Sequence, residues 1–143
     1  YYKLNASTVI LFNHDSIYRN KKFLFPRIVK YLKLKKLKKI SKIYKENIYG
    51  DFSHAEDICY GILKLMALKK MPNKIIFSSF KLTSVNKLID IALDYFKIKV
   101  DFKKQDKISK KLLLGNNNFA KKKLNWKPKK NIYLAFKEIL KST

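Results

Sequence analysis

The sequence is short of the residues that usually punctuate a chain. Its 143 residues hold three glycines, three prolines and a single cysteine, Cys59. One cysteine closes no internal disulfide, so a small secreted scaffold held by disulfides is excluded. There is no Gly-rich loop to cradle a phosphate, no closely spaced Cys/His set to hold a metal and no G-x-S-x-G turn for a nucleophilic serine. The apolar runs, Thr8–Phe12 and the three leucines of Lys111–Leu114 among them, fall far short of a membrane-spanning helix. No secretory signal opens the chain. Together these absences give the expectation of a cytoplasmic, reducing setting. The chain opens on Tyr1 and not on Met, which gives the further expectation that sequence has been lost upstream.

Apolar residues are plentiful. Hydrophobic types make up 47% of the chain and aromatics 14%, enough to bury a core and too much for a disordered basic tail. Charge is lopsided, with 34 basic against 10 acidic residues and a formal net charge of +24. Such an excess ordinarily points to nucleic acid or an anionic membrane. Here only Arg19 and Arg27 are arginines, and the planar fork that reads phosphates and bases is therefore scarce. The lysines run from Lys3 to Lys141 with no basic tail, and Ile, Asn, Tyr and Phe are abundant beside them. All five residue types have AT-rich codons. The excess is read as base-composition bias, with no specific nucleic-acid partner and no membrane partner expected.

Apolar periodicity alternates between strand and helix. Val9–Phe12 reads as a strand buried on both faces of a parallel sheet, ending in a polar loop, Asn13-His14-Asp15-Ser16, where open α/β sheets place ligands. Phe25, Ile28, Val29 and Leu32 recur at helical spacing behind Pro26, and Lys30–Ile40 continues as a basic amphipathic segment. Lys42–Phe52 is mixed, reading as short strands or loop. Ser53-His54-Ala55-Glu56 is an S-x-x-E capping box ahead of a helix whose Ala55, Ile58, Cys59, Ile62, Leu65 and Met66 share a face. On that face Cys59 is expected to be a small buried hydrophobe. Pro72-Asn73 closes this helix and Ile75–Phe77 is a buried strand. Thr83 or Ser84 caps a helix carrying Val85, Leu88, Ile89, Ala92, Leu93 and Phe96. A last strand is expected at Ile98–Phe102, then a break at Gly115–Asn118, a short helix Phe119–Leu124, a turn at Trp126–Pro128 and a terminal helix through Ile132–Leu140. The fold class is α/β.

His54 reads as a helix-entry residue. His14, which follows the first strand among polar neighbours, is left open by spacing alone. Three strings then resemble a known family. Val9-Ile-Leu-Phe-Asn-His-Asp-Ser16 with Tyr18-Arg19 and Phe23 is similar to the I-L-F-N-H-E-S-P-R-R segment of GDP-mannose 4,6-dehydratases, extended short-chain dehydrogenases/reductases. Gly50-Asp-Phe-Ser-His-Ala-Glu-Asp57 resembles their R-D-W-G-H-A-x-D. Leu114-Gly115 and Ala120–Pro128 resemble L-G-D-x-x-K-A-x-x-x-L-G-W-K-P. The first string belongs to the dehydratases; the other two are shared with nucleotide-sugar epimerases.

The resemblance implies the carboxyl-terminal part of an NAD(P)-binding Rossmann-type fold. On this view residues 1–143 form the small substrate-binding α/β lobe, and the dinucleotide-binding part is absent. The family's Tyr-x-x-x-Lys pair lies upstream, and neither Tyr1 nor Tyr2 has a lysine four residues on. No catalytic residue and no metal ligand is therefore assigned to the chain. By resemblance His14 and Arg19 contact NADP, while Asn13 and Arg27 face the nucleotide-sugar, GDP-mannose, in an enzyme expected to be a homo-oligomer at full length. Departures fall on the substrate side. Gly50 stands where the family has arginine, Ile17 and Tyr18 replace a proline and an arginine, and the R-P-x-E-V-D stretch reads Asp106–Lys111, where Lys107, Lys110 or Lys111 could compensate in charge. Two alternatives stay open: another nucleotide-sugar epimerase or 4-reductase of the superfamily, and a non-catalytic, lysine-rich fragment that binds polyanions.

Overall fold

The computed structural model describes residues 4–103 and 112–142. Among these the element order is β1 (Thr8–Leu11), β2 (Asn13–Asp15), α1 (Leu24–Lys33), α2 (Leu37–Lys45), β3 (Tyr49–His54), α3 (Ala55–Met66), β4 (Lys74–Phe77), β5 (Leu82–Ser84), α4 (Val85–Tyr95), α5 (Asn118–Leu124) and α6 (Ile132–Ser142). The α/β class holds. No described helix is long and apolar enough to cross a membrane.

Two small sheets share one extended segment. β1 pairs in parallel with β4, from Thr8 opposite Lys74 to Leu11 opposite Phe77. At Phe12, whose amide still donates to the Phe77 carbonyl at 3.0 Å, the chain changes partner. β2 then pairs in parallel with β3, from Asn13 opposite Phe52 to Asp15 opposite His54, and β3 pairs antiparallel with β5. The polar loop expected after Phe12 is thus corrected: Asn13, His14 and Asp15 are strand. Their backbone groups find a ladder partner in β3, which overlaps the Lys42–Phe52 stretch expected to be short strands or loop and runs on through Ser53 and His54. The expectation of a first strand buried on both faces is also corrected. Val9, paired with Ile75, packs on the smaller core, whereas Ile10 is 38% and Leu11 40% exposed.

Each sheet has its own core. β1 and β4 are covered by α3, α5 and Trp126, with Ile58, Leu65, Ile75, Phe77, Ala120 and Leu124 buried together. Trp126 meets Phe77 edge-on at 4.8 Å between centroids and donates its indole N–H to the Asp57 carbonyl at 2.9 Å. The larger core joins α1, α2, α4 and α6. There Phe25 lies 4.9 Å from Phe52 and 5.6 Å from Phe136, between the stripes of Ile28, Val29 and Leu32 and of Leu88, Ile89 and Ala92. Burying a side chain of this size contributes about 1.5–3 kcal/mol, so these stripes hold the helices in place.

Helix boundaries follow from the scarcity of glycine. The segment Lys30–Ile40 is not one helix: α1 stops at Lys33 and α2 starts at Leu37. Lys35 adopts φ 49°, its amide donating to Leu32 (2.9 Å), while the Lys36 amide donates to Tyr31 (2.8 Å). This is the paired Schellman closure usually given to glycine. α4 ends the same way, with Lys97 at φ 53° and the Ile98 amide on the Leu93 carbonyl at 2.9 Å. That closure replaces the strand expected at Ile98–Phe102; Ile98 and Phe102 instead pack as irregular chain on the larger core.

The start of α3 also differs from the capping box. His54, not Ser53, occupies the cap, its Nδ1 accepting from the Glu56 amide at 3.2 Å, while the Ser53 hydroxyl is buried with no partner. Ile58 and Leu65 face inward as expected, but Cys59 is exposed and Met66 is 64% exposed. Apolar residues surround much of α3, so spacing alone does not select the covered side. Asp106–Lys111 lies outside the described residues.

Candidate functional site

The parallel pairing of β1 with β4 puts their carboxyl ends side by side, and the change of partner at Phe12 opens a switch point there. A buried carboxylate organises it. Asp51 of β3 is fully buried, and it accepts hydrogen bonds from the Ser79 hydroxyl, the Ser79 amide (2.8 Å), the Phe80 amide (3.1 Å) and the Gly115 amide (3.1 Å). Charge-assisted bonds of this kind are the strong ones. They tie the turn after β4 and the Gly115 segment to β3. A side chain at Gly115 would meet the Ser78 Cβ at 2.5 Å and the Phe12 ring at 2.7 Å, which is why the chain has glycine there. Asn117 donates to the Ser78 carbonyl at 2.8 Å and completes the wall.

The four residues singled out from sequence are distributed over this wall and the helix beside it. Asn13 is exposed at the start of β2, its amide nitrogen 3.4 Å from the Asp51 carbonyl. His14 is half-buried, and alternation along β2 puts it on the face opposite Asn13. Its Nδ1 lies 2.9 Å from the Phe12 carbonyl. That carbonyl only accepts, so in the neutral ring Nδ1 carries the hydrogen and Nε2 is left as an acceptor. Asp15 is buried, and burial pushes its carboxyl above the usual 3.8 against the opposing pull of the Ser16 amide, Arg19 and His14.

Arg19 is delivered by a tight turn, its amide donating to the Ser16 carbonyl at 3.1 Å. Its guanidinium lies 3.8 Å above the Phe23 ring, and its Nε is buried with no hydrogen-bond partner. Arg27 rides on α1 with its Nε likewise buried and unpartnered. Arg19 and His14 each act on the Asp15 carboxyl, but no hydrogen bond or ion pair among the described residues joins His14 to Arg19. No hydrogen bond or ion pair among the described residues joins Arg27 to Asn13, His14 or Arg19.

Sequence reasoning from residue types missed Asp51, Ser79 and Asn117. The only signal for Asp51 was its place in the second family-like string, beside Gly50. Phe52 explains Gly50 itself: a Cβ there would meet the Phe52 ring at 2.7 Å, and that ring is packed against Phe25 at a 56° tilt.

The fold is that of Rossmann-like, NAD-binding extended short-chain dehydrogenase/reductase structures, of which the chain covers a portion. RMD from Pseudomonas aeruginosa, complexed with NADPH, superposes with a TM-score of 0.72 at 14% identity over 94% of this chain and 46% of its own. A dTDP-glucose 4,6-dehydratase from Bacillus anthracis in complex with NAD gives 0.72 at 12% over 94% and 43%. A UDP-glucuronic acid 4-epimerase from Bacillus cereus, in complex with UDP-glucuronic acid and NAD, gives 0.73 at 11% over 95% and 44%. The chain therefore spans less than half the length of these structures. No curated protein sequence matches it. Residues 1–143 match the family profile described as GDP-mannose 4,6 dehydratase, and the chain belongs to that family.

Proposed function

We propose that residues 1–143 are the carboxyl-terminal, substrate-binding portion of a cytoplasmic, homo-oligomeric, NADP-dependent nucleotide-sugar 4,6-dehydratase acting on GDP-mannose. The family match over the whole chain carries this reading. The residues fit a dinucleotide phosphate. Arg19 keeps an unpartnered, buried Nε in a guanidinium whose carbon lies 3.8 Å from the centre of the Phe23 ring, and a permanently charged fork suits a phosphate. His14, with Nε2 as acceptor, suits a ribose hydroxyl. Asn13, exposed and anchored on the Asp51 carbonyl, and Arg27 are assigned to the nucleotide-sugar. When bound, the nicotinamide supplies a hydride acceptor and donor. The chain's own residues bind and orient; no proton transfer is assigned to them.

A second reading, action on another nucleotide-sugar, is favoured by one observation. Phe52 fills the space at Gly50, so the arginine of the family's R-D-W string has no counterpart here.

The test uses the enzyme carrying this chain together with its dinucleotide-binding part. Arg19→Ala is expected to weaken NADP retention by about 1–3 kcal/mol, the range for a lost charged hydrogen bond. His14→Ala should weaken it less, and both variants should turn over once NADP is saturating. Wild-type cofactor affinity in Arg19→Ala, or a dead His14→Ala at saturation, overturns the assignment.

A further inference from the structure

Asp51 is buried without a cation. Among the described residues no ion pair joins it to a lysine or arginine. Its charge is met by the Ser79 hydroxyl and three backbone amides, all from irregular chain: the turn after β4 and the Gly115 segment before α5. Burying a carboxylate is costly unless each donor is aimed at it, so the arrangement fixes geometry in those two segments. The turn is exacting. Phe80 is a non-glycine residue at φ 58°, a conformation that persists only where its surroundings over-determine it. Here the carboxylate holds the Phe80 amide, and the Ser79 hydroxyl bonded to that carboxylate accepts from the Lys81 amide at 3.2 Å. None of these three turn residues belongs to either hydrophobic core.

The turn faces open space. Ser79 and Lys81 line a cleft of about 170 Å³ with Phe52, Lys130 and Tyr133. Asn13 is the ladder partner of Phe52 and so shares its face of the sheet, and the Asn13 amide nitrogen donates to the Asp51 carbonyl at 3.4 Å. His14 lies on the opposite face of β2, and no hydrogen bond or ion pair among the described residues joins Asp51 to His14 or Arg19. We propose that Asp51 is a positioning residue for the nucleotide-sugar. Its carboxylate fixes the Ser79–Lys81 turn and its carbonyl holds Asn13, so its charge governs nucleotide-sugar affinity and leaves cofactor affinity alone. The inference rests on the assignment of Asn13 to the nucleotide-sugar.

Steady-state kinetics of the enzyme carrying this chain together with its dinucleotide-binding part test it. GDP-mannose, dTDP-glucose and UDP-glucuronic acid are run side by side, and the one the parent turns over serves as the probe. A sugar other than GDP-mannose therefore fails the GDP-mannose reading and leaves Asp51 under test. Asp51→Asn keeps the shape but turns a donor toward amides that need an acceptor, and should raise KM for the nucleotide-sugar about tenfold or more. NADP affinity and kcat at saturating sugar should stay within about twofold of the parent, a split that general loosening of the fold would not give. Ser79→Ala deletes one donor and should raise KM by about two- to fivefold with the same split, which decides the matter even where Asp51→Asn misfolds. Unchanged KM in Ser79→Ala, or parallel losses of NADP and nucleotide-sugar affinity in either variant, overturns the proposal. If Asn13→Ala leaves KM unchanged while Ser79→Ala raises it, the Asn13 assignment fails and Asp51 stands as the positioner of the turn.

Discussion

Each ring nitrogen of His54 has its own partner. Nδ1 accepts from the Glu56 amide, so the ring hydrogen sits on Nε2 and is shared with Glu138 at 3.0 Å, fastening the start of α3 to α6. His54→Ala removes the cap and the link together and should cost about 1–2 kcal/mol, read as a lower urea midpoint. Asparagine at that position restores a capping oxygen but not the reach to α6, so His54→Asn should recover part of the loss. Asp15 makes the opposite kind of contribution. Its carboxyl is raised above 3.8 by burial, so the folded protein holds this proton more tightly than the unfolded chain does. Stability from this group is fully present below the ordinary value and is lost as pH rises through the raised one. Asp15→Asn keeps an acceptor for the Ser16 amide and cannot ionise. It is expected to melt higher than the parent at neutral pH, with the gap closing on acidification to about pH 4, where unfolded aspartates take up protons. Melting temperature against pH, parent beside variant, checks both the sign and the window.

Helix ends carry a cost that a glycine-richer chain avoids. Lys35 and Lys97 hold left-handed φ values inside closures that need no side chain, and a Cβ in that region is worth roughly 1–2 kcal/mol of strain. Lys35→Gly and Lys97→Gly should each stabilise the fold by about 0.5–1 kcal/mol, the relief reduced by glycine's greater entropy when unfolded. Denaturant midpoints decide it; no gain in either variant would mean the strain is absent. The same elements show what was legible from sequence. α4 and α6 were readable because their stripes, Val85 to Leu93 and Ile132 to Leu140, are single-sided and both sit on the larger core. β2 was not, because ladder pairing with β3 stabilises it in place of apolar alternation, and β3 was readable only in part, within the stretch to Phe52 that reads as short strands or loop. The break at Lys35 was hidden for a related reason: lysine marks helix interiors, and only the surrounding backbone bonds make it a stop. His14 and Arg19 were singled out only through the family-like string, and the buried carboxylates Asp15 and Asp51 are defined by burial that no linear pattern records.

At the scale of the whole molecule, charge and shape act separately. The net charge of +24 is spread over a surface with only two arginines, so the lysines serve as point charges without base-reading geometry. Duplex DNA should therefore bind weakly and without sequence preference, and the affinity should fall steeply between 50 and 200 mM salt. Fluorescence anisotropy on two unrelated duplexes over that range tests this; a preference for one duplex that persists at the higher salt would return nucleic acid to the list of partners.

The partner change at Phe12 also sets the order in which the molecule can be assembled during synthesis. β1 pairs with a strand beginning at Lys74, and β2 with one beginning at Tyr49, so the strand leaving the ribosome first in this region is completed last. At about 5–20 residues per second, β1 waits several seconds for β4 to be made. During that interval α1 and α2, whose closures are local, can already be in place, and the β1 edge that β4 will cover is what a holding chaperone would find. Slowing translation after α2 should lengthen the wait and lower the soluble yield, whereas slowing it after β4 should not.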